Sequence, residues 1–387
     1  MSFIEIDKQF VANTYARFNL ELVKGKGSHL YDVNGKEYID LGSGIGVTAF
    51  GIGDDEWKKA VVNQLDKLQH VSNLYYTEPC AMLAKTLCER TGMKKVFFSN
   101  SGAEANECAI KVARKYGADK KGEEYYTIIT LKNSFHGRTI ATLSATGQDV
   151  FHAKFKPMLD GFVYADANDL ESVDKLVKEN KACAILIECV QGEGGVIALD
   201  KEFVLGVQKI CLENDLLFMV DEVQTGNGRT GELYAYMNYG ANPDVVTTAK
   251  GLGGGLPIGA CMMNEKVQTV LGFGDHGSTY GGNPVCSAGA LSVINRIDDK
   301  LLKEVKEKSE YIFNELEGAK GVESVSGMGL MIGIKTVRPA KEVVLDCIEK
   351  GVICLTAKDK VRLLPALNIS FEDVKKSVEV IKNACAK

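Results

Sequence analysis

Between residues 95 and 248 the chain alternates short, almost wholly apolar runs with longer stretches of helical spacing. No other feature of the sequence restricts the fold so strongly. The apolar runs cover residues 95–99, 126–131, 162–164, 183–188, 217–220 and 245–248. Helical spacing fills most of the gaps, at 104–116, 170–179 and 202–212. A strand that is apolar on both faces has to be covered on both faces, and a helix between two strands returns the chain parallel. The expected fold class is therefore α/β, a large domain with a mostly parallel sheet covered by helices. Ligand sites of such sheets lie beyond the carboxyl ends of the strands.

The flanks read differently. Residues 13–50 read as short strands broken by the turns Gly27-Ser28 and Asn34-Gly35. Helical periodicity covers 56–69, and Pro79 opens a helix that runs to Glu89 or Arg90. After Pro284 the spacing predicts helices at 286–297 and 301–316, strands at 330–334, 352–354 and 361–363, and a final helix at 371–386. That pattern is a smaller α+β domain, which takes in the N-terminal strands because chain termini often lie close together. The expected division is residues 1–52 as part of the small domain, 53–284 as the large domain and 285–387 as the C-terminal part of the small one.

Composition narrows the class of function. A net charge of −5 and the lack of a basic cluster argue against a nucleic-acid partner. No apolar run approaches the roughly 20 residues of a membrane span. The N-terminus lacks the basic and apolar regions of a signal peptide. Eleven cysteines, scattered through apolar stretches with no Cys-x-x-Cys pair, suit a reducing cytoplasm. No pair of histidines at helical spacing points to a metal.

Polar residues gather where the apolar runs end. Val245-Val246-Thr247-Thr248-Ala249 leads into Lys250 and the glycine-rich turn Gly251-Leu252-Gly253-Gly254-Gly255. A lysine held where a strand leaves the core is partly desolvated, so its amine deprotonates more readily and becomes a nucleophile toward a carbonyl. The run Leu217-Phe218-Met219-Val220 ends in Asp221. A lysine and an acid on neighbouring strand ends suit pyridoxal phosphate, the lysine joining the aldehyde and the acid pairing with the ring nitrogen. Taken singly, Lys250 reads more readily as a helix C-terminal cation and Asp221 as an N-cap.

Phe97-Phe98-Ser99-Asn100-Ser101-Gly102-Ala103-Glu104 is strand, small-residue turn and helix, which serves either as a phosphate cradle or as a capping box of Ser101 and Glu104. In Phe135-His136-Gly137-Arg138-Thr139, Phe135 offers a stacking face and Arg138 a two-pronged grip on a carboxylate, while His136 reads as a packing or hydrogen-bonding histidine. Glu188 and Glu193 flank a glycine turn as candidates for charge pairing. Gly277-Ser278-Thr279 offers hydroxyls to a phosphate. Arg362, set in an apolar run, needs an anionic partner from protein or ligand.

Read together and in order, Ser-Gly-Ala-Glu-Ala (101–105), Phe-His-Gly-Arg-Thr (135–139), Asp-Glu-Val-Gln-Thr-Gly (221–226), the Lys250 segment and Gly-Ser-Thr-Tyr-Gly-Gly-Asn-Pro (277–284) resemble the class-III pyridoxal-phosphate aminotransferases, and among them the acetylornithine enzymes. The resemblance runs from Asn13-Thr14-Tyr15 to Arg362-Leu363-Leu364-Pro365, nearly the whole chain. It implies the type I fold of pyridoxal-phosphate enzymes and these roles. Lys250 and Asp221 are catalytic. Ser101, Gly102, Ala103, Phe135, Gln224 and Thr279 hold the cofactor, with Gln224 on the ring hydroxyl and Thr279 reaching the partner subunit's phosphate in a homodimer. Arg138 takes the α-carboxylate, and Arg362 takes the distal carboxylate of glutamate or 2-oxoglutarate. Glu193 pairs with Arg362 when the other tail is bound, and Tyr15 and Ser278 lie on the substrate side. The implied reaction moves the δ-amino group of N2-acetylornithine to 2-oxoglutarate in arginine biosynthesis. Ornithine, succinylornithine and 4-aminobutyrate aminotransferases share the machinery. An aminomutase or decarboxylase needs no carboxylate gate, and a non-catalytic relative would leave gaps in the set. Cys189 stands where the family more often has proline, and Asn227 where it more often has an apolar residue.

Overall fold

A computed structural model describes residues 2–387. Its centre is a seven-stranded sheet in the spatial order Lys95–Ser99, Gly259–Met263, Val245–Thr248, Leu217–Asp221, Ala182–Ile187, Thr127–Leu131 and Phe162–Ala165. All the pairings are parallel except those of Gly259–Met263, which runs antiparallel to both neighbours. Every residue of the four strands from Val245–Thr248 to Thr127–Leu131 is buried. That is why these strands read as unbroken apolar runs, and the α/β expectation holds.

The antiparallel strand was absent from the sequence reading. Gly259-Ala260-Cys261-Met262-Met263 has no β-branched residue and follows a glycine-rich turn, so local signals for a strand are weak. Burial between two strands overrides them. The sequence reading also left out the helices Phe3–Phe10 and Ala340–Glu349 and the strand Val322–Met328.

Helices cover the sheet. The longest, Gly102–Lys121, buries Ala105, Cys108, Ala109, Val112, Ala113 and Tyr116. It begins directly after the strand Lys95–Ser99, so its N-terminus faces the carboxyl ends of the parallel strands.

Both ends of the chain build the remaining sheets. Leu22–Lys26, His29–Asp32 and Glu37–Asp40 form an antiparallel meander, and Val352–Ile353 from the far end of the chain adds to it in parallel. A second four-stranded sheet is ordered Val322–Met328, Met331–Thr336, Lys360–Leu363, Leu355–Ala357. The bond Leu364 N–H to Leu41 O, 2.6 Å, ties the strand carrying Arg362 to the N-terminal segment. Among the described residues no helix is long and apolar enough to cross a membrane.

Candidate active site

The geometry starts from the pairing of two parallel strands. Asp221 lies opposite Thr247, three residues before Lys250, so both ionisable groups leave the same edge of the sheet. They line one cleft of about 600 Å³ with Tyr15, Asn100, Ser101, Gly102, Ala103, Phe135, Arg138, Glu188 and Gln224. Seven residues named from the sequence as cofactor or substrate ligands thus line one cleft with Lys250 and Asp221, although they span positions 15 to 224.

Asp221 is fixed on several sides. One oxygen accepts from Asn106 Nδ2 (2.7 Å) and lies 2.8 Å from His136 Nδ1; the other accepts from the Val223 N–H (3.0 Å). Thr247 Oγ1 in turn donates to Asn106 Oδ1 at 2.6 Å. Sequence reasoning left Asn106 out. Its signal was a polar residue on the buried face of an otherwise small and apolar helix. His136 is a hydrogen-bonding histidine, as expected, and its Nε2 is buried with no partner.

Lys250 occupies the left-handed region, φ 45°. For a non-glycine residue that costs on the order of 1–3 kcal/mol, and such strain persists only where the surroundings enforce it. Burial pushes the Lys250 ammonium below its ordinary pKa, while the charges of Glu193 and Asp221 pull it partly back. The amine is therefore closer to its neutral, nucleophilic form than a surface lysine. Glu188 shows the opposite sign. Burial, then the Asp221 charge, raise its carboxyl well above the usual range, and it accepts from Phe135 N–H at 2.9 Å.

The helix start is capped by its own side chains. Ser101 Oγ accepts from Glu104 N–H at 3.2 Å, which is a true N-cap. Glu104, however, reaches past Ser101 to the Asn100 N–H at 2.6 Å. Gly102 and Ala103, the first residues of the helix, line the cleft. A Cβ on Gly102 would sit 2.5 Å from Val223 Cγ1, so the helix packs against the loop after Asp221 with no room to spare.

Arg138 lies with its guanidinium 4.1 Å from the Phe151 ring centroid and 5.2 Å from that of Phe135. Arg362 and Glu193 form an ion pair at 2.5 Å beside the cleft. Gln224 touches both, accepting from Arg362 at 3.2 Å and donating to Glu193 at 3.4 Å. Burial alone would raise Glu193, but the Arg362 charge wins and holds its carboxyl below the ordinary value. Ser278 and Thr279 are not brought to this cleft. Ser278 Oγ accepts from Asn100 Nδ2 (3.2 Å) and Gly281 N–H (2.9 Å), and Thr279 is exposed.

This constellation has counterparts. The family model for aminotransferase class-III matches residues 10–385. The chain belongs to the class-III aminotransferases. Membership makes it a pyridoxal-phosphate-dependent enzyme that transfers amino groups between small molecules. It is 49% identical over 97% of its length to the acetylornithine aminotransferase of Haemophilus ducreyi, covering 96% of that protein. Against the acetylornithine aminotransferase of Aquifex aeolicus the identity is 46%, over 96% of this chain and 99% of the relative. Among solved structures, the ornithine aminotransferase of Toxoplasma gondii ME49 superposes with a TM-score of 0.95 at 28% identity, covering 99% of this chain and 94% of that one. The cleft of this class-III aminotransferase fits the cofactor on its own chemistry. It presents an amine of lowered pKa, a buried and multiply bonded carboxylate, an aromatic face, and the N-terminus of a 20-residue helix lined by small residues.

Proposed function

We propose that the chain moves the δ-amino group of N2-acetylornithine to 2-oxoglutarate, giving N-acetylglutamate 5-semialdehyde and glutamate for arginine synthesis. The observation that carries this reading is the Arg362–Glu193 pair beside the cleft. A transaminase must accept in one site an acid with a distal carboxylate and a second substrate without one. An arginine that is neutralised by a movable glutamate serves both tails. The names of the relatives cited above support the acylated substrate.

Bound pyridoxal phosphate supplies an aldehyde and an electron-withdrawing ring. The chain supplies the rest. Lys250 Nζ would hold the cofactor through its aldehyde and would move the proton at the carbon that bears the transferred nitrogen. Asp221, braced by Asn106 and His136, keeps a proton on the ring nitrogen. Phe135 stacks on the ring. Ser101, Gly102 and Ala103 take the phosphate at the helix N-terminus. Gln224 is assigned to the ring hydroxyl while it also touches the gate pair. Arg138 grips the α-carboxylate and Arg362 the distal one. Tyr15 approaches the tail that distinguishes acetylornithine from ornithine, succinylornithine and 4-aminobutyrate. Ser278 orders Asn100 at the rim. Thr279 reaches the phosphate of a second copy, so the working unit is a homodimer. The domain division at 1–52, 53–284 and 285–387 belongs to the same proposal, and so does a cytoplasmic location, which the eleven unpaired cysteines support.

The test is a half-reaction followed by absorbance, with bound cofactor and no keto acid. N-acetylornithine should convert the cofactor to its amine form much faster than ornithine or 4-aminobutyrate does. A faster reaction with ornithine or 4-aminobutyrate would move the enzyme to the metabolism of that amine.

A further inference from the structure

Asn227 lies against the lysine turn. It is buried at 2% exposure, between Gly226 and Gly228, and its own backbone is left-handed at φ 57°. A tight turn brings it there. The Glu222 N–H donates to Thr247 O (2.8 Å) across the two strands, and the Gly226 N–H folds back to Glu222 O (2.9 Å). The loop after Asp221 therefore ends over the carboxyl end of the neighbouring strand. From that position Asn227 Nδ2 donates to Thr248 Oγ1 at 3.0 Å and to Ala249 O at 3.1 Å. Ala249 O is an acceptor only, so the amide must present its nitrogen there. The orientation leaves Asn227 Oδ1 buried without a partner.

We propose that Asn227 is a positioning residue for Lys250. The carbonyl it holds belongs to the peptide bond that precedes Lys250. Fixing that peptide plane fixes the direction in which the left-handed Lys250 sends its side chain. Ala249 O also accepts from the Leu252 N–H at 2.9 Å, so both of its acceptor directions are filled. A glycine at 227 would suit the left-handed backbone better and would strand no buried oxygen. What asparagine adds over glycine is the pair of donations.

That contrast supplies the experiment. Asn227→Gly removes the donors without backbone strain, and Asn227→Asp keeps the shape but not the amide. Each holoenzyme is titrated with pH in the absence of substrate, following the absorbance of the lysine-linked cofactor, and kcat and KM are then measured. The inference rests on the role given to Lys250 and not on the choice of amino donor, because the titration contains none. The expected result is an upward shift of the absorbance midpoint by about half a pH unit or more in the glycine variant, as a loosened lysine regains water. We also expect a roughly tenfold to hundredfold loss of kcat, with both KM values within about twofold of the parent. A glycine variant with the parental midpoint and kcat would overturn the proposal and leave Asn227 as a residue that merely tolerates a left-handed turn. A lowered melting temperature with an unchanged midpoint would overturn it equally, in favour of a purely structural tie. Should the glycine variant not fold, the isosteric aspartate decides by kcat against KM, because its added carboxylate raises the midpoint by charge alone.

Discussion

Arg362 and Glu193 lie 169 residues apart in sequence and in contact in space. Arg362 is 3% exposed, so removing Glu193 leaves a buried cation whose remaining side-chain contact is the neutral Gln224. The two substitutions should therefore part the two half-reactions. Arg362→Leu removes the grip on the distal carboxylate and should raise KM for 2-oxoglutarate by about tenfold to a hundredfold, while the half-reaction with the acylated amine changes by no more than a few-fold. Glu193→Gln leaves the arginine unmasked and should slow the amine half-reaction more than the keto-acid one. Stopped-flow absorbance on each half-reaction checks both. Equal losses in the two halves would remove the gate from the mechanism. At this scale the sequence named most of the reactive groups, because lysine, aspartate and arginine at the ends of apolar runs are costly without a use. It did not name Asn106 or the bracing role of His136. Both depend on which helix face meets which strand end.

The helix Gly102–Lys121 joins structure to chemistry at the next scale. Its sequence serves two ends together, with small residues for packing on the sheet and a capped N-terminus for an anion. Gly102 is where the two demands meet, since its Cβ position lies 2.5 Å from Val223 Cγ1. Gly102→Ala should push the helix start away from the loop that carries Asp221 and Gln224. Cofactor affinity should fall by about tenfold or more, with a smaller effect on the melting temperature of the apoenzyme, because the rest of the helix keeps its buried face. Equilibrium dialysis against free cofactor and a thermal scan measure the two effects. Unchanged cofactor affinity would mean that Val223 yields. Element boundaries were legible where both faces of a strand are buried. They were lost at Gly259–Met263, a strand only because two partners enclose it.

At the scale of the whole molecule, one chain leaves Thr279 exposed and away from the cleft, and exposes Leu74, Tyr75, Tyr76, Phe273 and Tyr280. Exposed apolar side chains are the raw material of an association surface. If Thr279 serves the partner's cofactor, two crippled variants should rescue each other. Lys250→Ala and Thr279→Ala, unfolded or dissociated together and reassembled, would form mixed dimers with one intact site each. Random pairing should restore about a quarter of the parental activity, well above either variant alone. No recovery, with mixed dimers demonstrated by mass, would place Thr279 in its own subunit's chemistry or in none.

The sequence by itself determined the class of fold and the inventory of reactive groups. A buried strand must be apolar throughout, and a charged or glycine-rich break in that pattern has to be justified by chemistry, so both can be read along the chain. Only the tertiary structure decided how those groups are used. Parallel register set Asp221 three residues short of the lysine's level, strand Lys360–Leu363 brought Arg362 to Glu193, and the loop after Asp221 folded Asn227 back onto the peptide before Lys250. Distances of about 3 Å between residues tens to hundreds of positions apart depend on packing. Packing is a property of all the elements together, and no local pattern encodes it.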